Sequence, residues 1–184
     1  MDRRTRIVRW QNLLLAGIVI ALVSVSGCTG DAPPTPSPAV PVIEPGQVLY
    51  IAGDVTGDGI PRGTIDTITV TLGLVPGQSP VNIEQISIVY ADAIRSETLV
   101  PVEGYRGDPP QGTWGILSVT GELGGSNNRI EYEERFVLRL NPKAPLVPRQ
   151  LITISITTEE GKTLTFRRIS PAIIIKENNY LATV

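Results

Sequence analysis

An antiparallel β-sandwich of about seven to nine strands is the fold this chain predicts, carried behind a hydrophobic segment and a proline-rich stretch. Three observations predict it. From residue 47 onward, short runs alternate apolar and polar residues with period two. Glycine and proline clusters punctuate those runs at intervals suited to tight connections. No stretch beyond residue 46 shows a sustained helical stripe.

The elements follow in order. Arg3, Arg4, Arg6 and Arg9 precede an apolar run from Leu13 to Val25. At about thirteen residues the run has the length of a secretory core segment and falls short of a typical spanning helix. Arginines before it and none just after it keep the N-terminus on the cytoplasmic side. Residues 1–27 therefore read as a signal peptide or membrane anchor. The run closes on Val25-Ser26-Gly27-Cys28, and Cys28 is the only cysteine in the chain. This tetrad resembles the lipobox of prokaryotic lipoproteins. The resemblance implies cleavage before Cys28 and a diacylglyceryl group on its sulfur, with two acyl chains giving a stable hold on the membrane. An ordinary signal peptide with a coincidental cysteine and an uncut apolar anchor are the other two readings. All three place the remainder outside, at the outer face of the cytoplasmic membrane or the cell surface.

Residues 28–46 hold prolines at 33, 34, 36, 38, 41 and 45. They read as an extended, semi-rigid linker reaching roughly 40–50 Å. Residues 47–184 then form one domain. Gln47–Gly53 is the first strand candidate. In Ile65–Leu74, Ile68, Val70, Leu72 and Leu74 alternate with threonines and give one dry face. Ile83–Ala91, Glu97–Val102, Thr113–Thr120 and Arg129–Leu140 follow. Leu151–Thr158 and Lys162–Ile169 form a hairpin across Glu159-Glu160-Gly161. Pro171–Lys176 and Tyr180–Val184 close the last edge.

Composition removes several function classes. The whole chain has 16 basic and 18 acidic residues and no histidine. Four arginines and one aspartate lie in residues 1–27, so 12 basic residues face 17 acidic ones in the remainder, a net charge of −5. That disfavours nucleic acid as a partner. One cysteine permits no internal disulfide. Serine–histidine and cysteine–histidine catalysis lack their parts. The expectation is a protein that is not an enzyme.

The order of features across residues 47–184 resembles the globular domain of archaellins, the archaeal flagellins. The pieces are Gly53-Asp54-Val55, then Ile65-Asp66-Thr67-Ile68-Thr69-Val70-Thr71-Leu72, Pro76-Gly77-Gln78, and Val81-Asn82-Ile83 with Ile86-Ser87-Ile88-Val89-Tyr90. Glu134-Arg135-Phe136-Val137-Leu138, Gly161-Lys162-Thr163-Leu164, Ile169-Ser170-Pro171-Ala172-Ile173 and Asn179-Tyr180-Leu181 complete the series. The resemblance implies an immunoglobulin-like sandwich in a secreted protein. Archaellins assemble through a long N-terminal apolar helix. Here the apolar run is short and six prolines follow it, each costing about 3 kcal/mol inside a helix. The resemblance thus points to an archaellin-like sandwich on a lipid anchor. Its partners are the membrane, through the N-terminus, and an envelope or filament protein. A component of a surface filament is the alternative.

Candidate sites are few. Asp54, Thr56 and Asp58, with Gly59, place oxygens at alternate positions as in a calcium loop. The position where such a loop needs a bidentate acid holds Ile65, and a strand–strand turn accounts for the same residues. Calcium is the one cofactor left open. Gly161-Lys162-Thr163 lacks the earlier glycine and following helix of a phosphate loop. Glu131, Glu133 and Glu134, like Glu159 and Glu160, read as a solvated outer face. Trp114 reads as core, with a sugar-stacking surface shared with Tyr90, Tyr105 and Tyr132 as the alternative. Arg106-Gly107-Asp108 lies in a long exposed loop.

Overall fold

A computed structural model describes residues 43–103, 107–122, 125 and 127–184. Residues 1–42, with the apolar run, Cys28 and five of the six linker prolines, lie outside the described residues. No helix among the described residues is long and apolar enough to cross a membrane.

The domain is an all-β, immunoglobulin-like sandwich. The first layer holds β1 (Leu49–Ile51), β2 (Thr56–Gly59), β3 (Ile65–Leu74), β7 (Thr113–Thr120), β9 (Arg135–Asn141) and β12 (Asn179–Tyr180). The second holds β5 (Ser87–Ala91), β6 (Ser96–Pro101), β10 (Leu151–Thr157), β11 (Thr163–Ile169) and β13 (Ala182–Thr183). A short pair, β4 (Val81–Asn82) with β8 (Arg129–Ile130), covers one end. The 3-10 turn Ile83–Gln85 is capped by Asn82, whose side chain accepts from the Glu84 amide.

Strand order runs β12-β2-β3-β9-β7-β6-β5-β10-β11-β13, with β1 on the flank of β3. Every pairing is antiparallel except β6 with β7. There, two residues of β6 leave β5 and pair with the first layer, at Val100 with Thr113 and Pro101 with Trp114. On the opposite side the C-terminal segment does the same work. Asn179–Tyr180 pairs with β2, and Ala182–Thr183 pairs with β11 only two residues later. Both flanks of the sandwich are therefore bridged over two-residue pairings, which covers part of the backbone edge there.

Period two builds the core. Ile68, Val70 and Leu72 of β3 face inward beside Phe136, Leu138 and Leu140 of β9. Ile152, Ile154 and Ile156 of β10 and Ile88 and Tyr90 of β5 meet them from the other layer. Leu181, fully buried, sits at the crossing between β12 and β13, and its amide donates to the Val55 carbonyl at 3.0 Å.

The expected strands at Ile65–Leu74 and Thr113–Thr120 have the same limits in the structure. Four expectations differ: Ile83–Ala91 opens with the 3-10 turn Ile83–Gln85 and is strand only over Ser87–Ala91, and three more depart from the sequence reading. Arg129–Leu140 is broken by a turn at residues 131–134, where Glu133 takes φ 70°. The segment 171–176 is not strand. The expected turn over residues 54–59 contains β2, a strand held between β3 and β12. Two-residue pairings raise the strand number above the expected range.

Candidate functional site

The most polar feature of the domain lies on the outer face of the first layer. Alternation on β9 turns Phe136, Leu138 and Leu140 inward and Arg139 outward. Arg139 sits opposite Thr69 of β3 and donates from Nη1 to its Oγ1 at 2.9 Å. Its Nε donates to Asp108 Oδ1 at 2.9 Å. Its Nη2 meets Asp58 Oδ2 at 2.7 Å and Asp108 Oδ1 at 2.8 Å. The Asn178 amide donates to Asp58 Oδ1 at 2.7 Å. One guanidinium thus ties together β2, β3, β9, the loop before β7 and the C-terminal segment. Asp66, Lys176 and Glu177 complete the rim of a shallow cup of about 380 Å³. The carboxylates here clamp a cation rather than face each other across a gap, so they are not arranged as a glycosidase acid pair.

The expected calcium ligands belong partly to this cluster. Thr56 and Asp58 lie on an extended strand, where alternate residues point to one face without curling around a centre. Asp58 is committed to Arg139 and the Asn178 amide. Asp54 precedes the strand. Among the described residues no three acidic side chains converge to hold a metal. The glycines also have other reasons. A Cβ on Gly57 would strike Ile65 and approach Leu181, and one on Gly59 would overlap the Thr64 carbonyl at the bulge. The donor set does not fit a calcium loop.

The remaining candidates separate. Glu134 departs from the solvated-face expectation: it is 1% exposed, and its Oε2 accepts from the Glu131 amide at 3.0 Å. It shares the inward parity of Phe136 and caps the preceding turn through Oε2, while its buried Oε1 has no partner among the described residues. Glu159 and Glu160 occupy the exposed turn between β10 and β11, and Gly161 there takes φ 77°, the left-handed region a tight turn requires. Gly161-Lys162-Thr163 opens a strand, with the Thr158 amide donating to the Lys162 carbonyl at 2.9 Å. Trp114 is core, 2% exposed, opposite Leu140. Tyr90 is buried too, whereas Tyr132 is exposed, so the three do not form a stacking platform. Burial pushes the Tyr90 phenol up, with Asp92 and Glu97 adding to the shift and Arg95 opposing it. Of Arg106-Gly107-Asp108, the aspartate is engaged by Arg139, and Arg106 and Tyr105 lie outside the described residues, as does Cys28.

Sequence reasoning missed one surface. The C-terminal segment lines a groove of about 460 Å³ with Ile169, Ile173, Ile175, Tyr180 and Ala182. Ile173 is 74% exposed, Ile175 54% and Tyr180 51%. The three consecutive isoleucines at 173–175 were the available signal. Only Ile174 of the three is buried.

Comparison with known proteins defines the class. No protein-family model matches the chain, and no curated protein matches it in sequence. Solved structures do match in shape. The crystal structure of archaeal flagellin FlaB1 from Methanocaldococcus jannaschii aligns with TM-score 0.56 at 16% identity, covering 71% of this chain and 95% of that one. The archaeal flagellum of Methanospirillum hungatei strain JF1 aligns at TM-score 0.49 and 12% identity, over 71% of this chain and 72% of that one. The archaellum periplasmic stator protein FlaG from Sulfolobus acidocaldarius aligns at 0.41 and 19%, over 60% and 94%. The last two likenesses are too distant to argue from. The first establishes an archaellin-like fold for the globular domain, as the order of sequence features implies.

Proposed function

We propose that this chain is a lipid-anchored, non-enzymatic protein of the cell surface, which presents an archaellin-like sandwich on a proline-rich tether and binds an envelope or filament partner. The observation that carries the reading is the junction at Cys28: a lone cysteine where a short apolar run gives way to proline. An archaellin-like fold supports an extracytoplasmic address. The absence of histidine in the sequence and the cation-clamping arrangement of Asp58 and Asp108 support a role without catalysis. Mass spectrometry of the mature N-terminus tests the reading. A diacylated Cys28 is the expected result. A mature chain that keeps residues 13–27 joined to the domain, without lipid, removes the lipid anchor and leaves an apolar one.

A second reading, a component of a surface filament, is favoured by the flagellin likeness alone. It requires the purified chain to polymerise or to copurify with a filament.

A further inference from the structure

The free side of β11 is a strand edge with its backbone groups aimed outward. β10 and β11 pair without a register shift, from Leu151 with Ile169 to Thr157 with Thr163. The Thr158 amide donates to the Lys162 carbonyl at 2.9 Å, and the Ser170 amide donates to the Gln150 carbonyl at 3.0 Å. Even-numbered residues of β11 therefore turn their backbone groups toward β10. By antiparallel alternation Thr163, Thr165 and Arg167 turn theirs away. β13 meets that edge only at Arg168 and Ile169. The N–H and C=O groups of Thr163 and Thr165 thus pair with no other described strand. Native edges are commonly guarded by proline, a bulge or an inward charge. β7, also paired on one side only beyond Trp114, has a bulge between Ile116 and Ser118. β11 has none of these guards between Thr163 and Phe166: Leu164 and Phe166 point inward, and Thr163 and Thr165 are exposed.

Charge and symmetry select the occupant. Glu159 and Glu160 stand at one end of the open reach and Arg167 at the other, all exposed and without an ionic partner among the described residues. Two copies of one edge related by a two-fold axis run antiparallel. Each acidic turn then meets the Arg167 end of the other copy. A parallel arrangement would set acid beside acid and arginine beside arginine, which is destabilising. The side chains agree with the same geometry. Ser155 and Thr165 hydroxyls lie 3.0 Å apart, as do those of Thr157 and Thr163. A second β11 placed with its Thr165 opposite Thr163 continues both hydroxyl rows across the axis. In that register the outward groups of both threonines form four backbone hydrogen bonds, Leu164 sits on the axis, and the pairing stops short of the edge that β13 covers.

We infer that β11 pairs antiparallel with β11 of a second copy of this chain, Thr163 opposite Thr165, and joins two sandwiches through one continuous sheet. The contact is small, so it is weak in free solution and gains from holding copies close together on a surface. It is isologous and consumes the edge, so it closes at two copies. The inference goes beyond the function proposed above and does not depend on how the N-terminus is held.

The test uses the full chain with Cys28→Ser, purified in detergent with micelles in excess, so that introduced cysteines are the only thiols. Thr163→Cys and Thr165→Cys are made in separate chains, mixed, and exposed to a mild oxidant. In the inferred register position 163 and position 165 of the second copy stand about 5.5 Å apart at Cα, within disulfide reach. Two copies of position 163, or two of position 165, stand about 8 Å apart, beyond that reach. The mixture therefore gives at least about fivefold more disulfide-linked dimer than either variant alone. Thr98→Cys, exposed on β6 of the same layer, gives only background. Both β11 threonines are exposed, so the cysteine variants keep their melting temperature. Arg167→Glu in both chains lowers the mixed yield, and Glu159→Arg with Glu160→Arg added to it restores the yield. Background yield from the mixture, equal yields from the mixture and a single variant, or a yield indifferent to Arg167→Glu overturns the inference. So does a disulfide adduct of Thr165→Cys with a different protein in cell membranes where the mixed dimer is absent. The acylation state of Cys28 in the natural chain, read separately by mass, tells failure of the anchor from failure of the pairing.

Discussion

Leu181→Ala tests how the sandwich is closed. Leu181 is fully buried between two strands of two residues each, one paired to β2 in the first layer and one to β11 in the second. The neighbouring Asn179 is already satisfied. Its Nδ2 donates to the Gly57 and Ile175 carbonyls at 2.9 and 2.8 Å, and its Oδ1 accepts from the Ile175 amide at 2.7 Å. Those bonds hold the segment in place, so the site cannot collapse around a truncated side chain. The cost then lies in the middle of the range for buried leucine truncation, about 3 kcal/mol, as lost transfer energy plus an unrelaxed cavity. For a domain of this size that lowers the melting temperature by roughly 6–12 °C. Urea unfolding followed by Trp114 fluorescence measures it, with a lower midpoint and an unchanged slope. A loss under about 1 kcal/mol, or a slope that falls with the midpoint, refutes the claim that Leu181 locks the two layers as one cooperative unit.

Two further outcomes follow from the core and the outer face. Tyr90→Phe removes a buried hydroxyl with no partner among the described residues, so stability at neutral pH stays level or rises by up to about 1 kcal/mol in chemical denaturation. The phenol also sets a pH dependence. Its folded pKa lies above the unfolded value of about 10, so the native state resists ionisation, and wild-type stability declines as pH rises past about 10. A urea midpoint measured against pH shows a shallower alkaline decline in Tyr90→Phe; parallel curves reject that assignment. Calcium at about 1 mM leaves the melting temperature within about 1 °C, because a site with millimolar affinity or better adds several tenths of a kcal/mol or more. A larger shift, abolished by Asp54→Ala with Asp58→Ala, restores the calcium loop.

Legibility in the sequence followed the physics of each segment. Whereas β7 showed only its tryptophan, isoleucine, valine and threonine content, its alternation being broken by a bulge at Ile116–Ser118, the strand β3 was readable because threonine alternates with isoleucine, valine and leucine, which favours extended backbone and a single dry face. The partner strands β10 and β11 were readable for the same reason, with Glu159-Glu160-Gly161 marking their turn. β2 was not. Thr56-Gly57-Asp58-Gly59 is poor in strand formers, and the strand exists because β3 and β12 flank it and because Ile65 and Leu181 leave no room for a side chain at Gly57. Tertiary context overrides local preference there. Glu134 misled because nothing local distinguishes it from Glu131 and Glu133. Only the register of β9 turns it inward. Arg139 was visible as one charge on an alternating strand, but its partners come from three distant segments. Such a cluster has no local signature.

The closure of the sandwich bears on which reading of function is physically simpler. In β11 the hydrogen-bonded pairs with β10 include Thr158 with Lys162 and, two residues on, Ile156 with Leu164. By that alternation the backbone groups of Thr163 and Thr165 face away from β10. β13 covers the same edge only at Arg168 and Ile169. Elsewhere β6 and the C-terminal crossing cap the flanks of the two layers. The crossings therefore close part of each flank, while β7 beyond Trp114 and β11 before Arg168 are paired on one side only among the described residues. Prolines at 33, 34, 36, 38, 41 and 45 disfavour a continuous helix leading into the domain, which favours the tethered reading over the filament one.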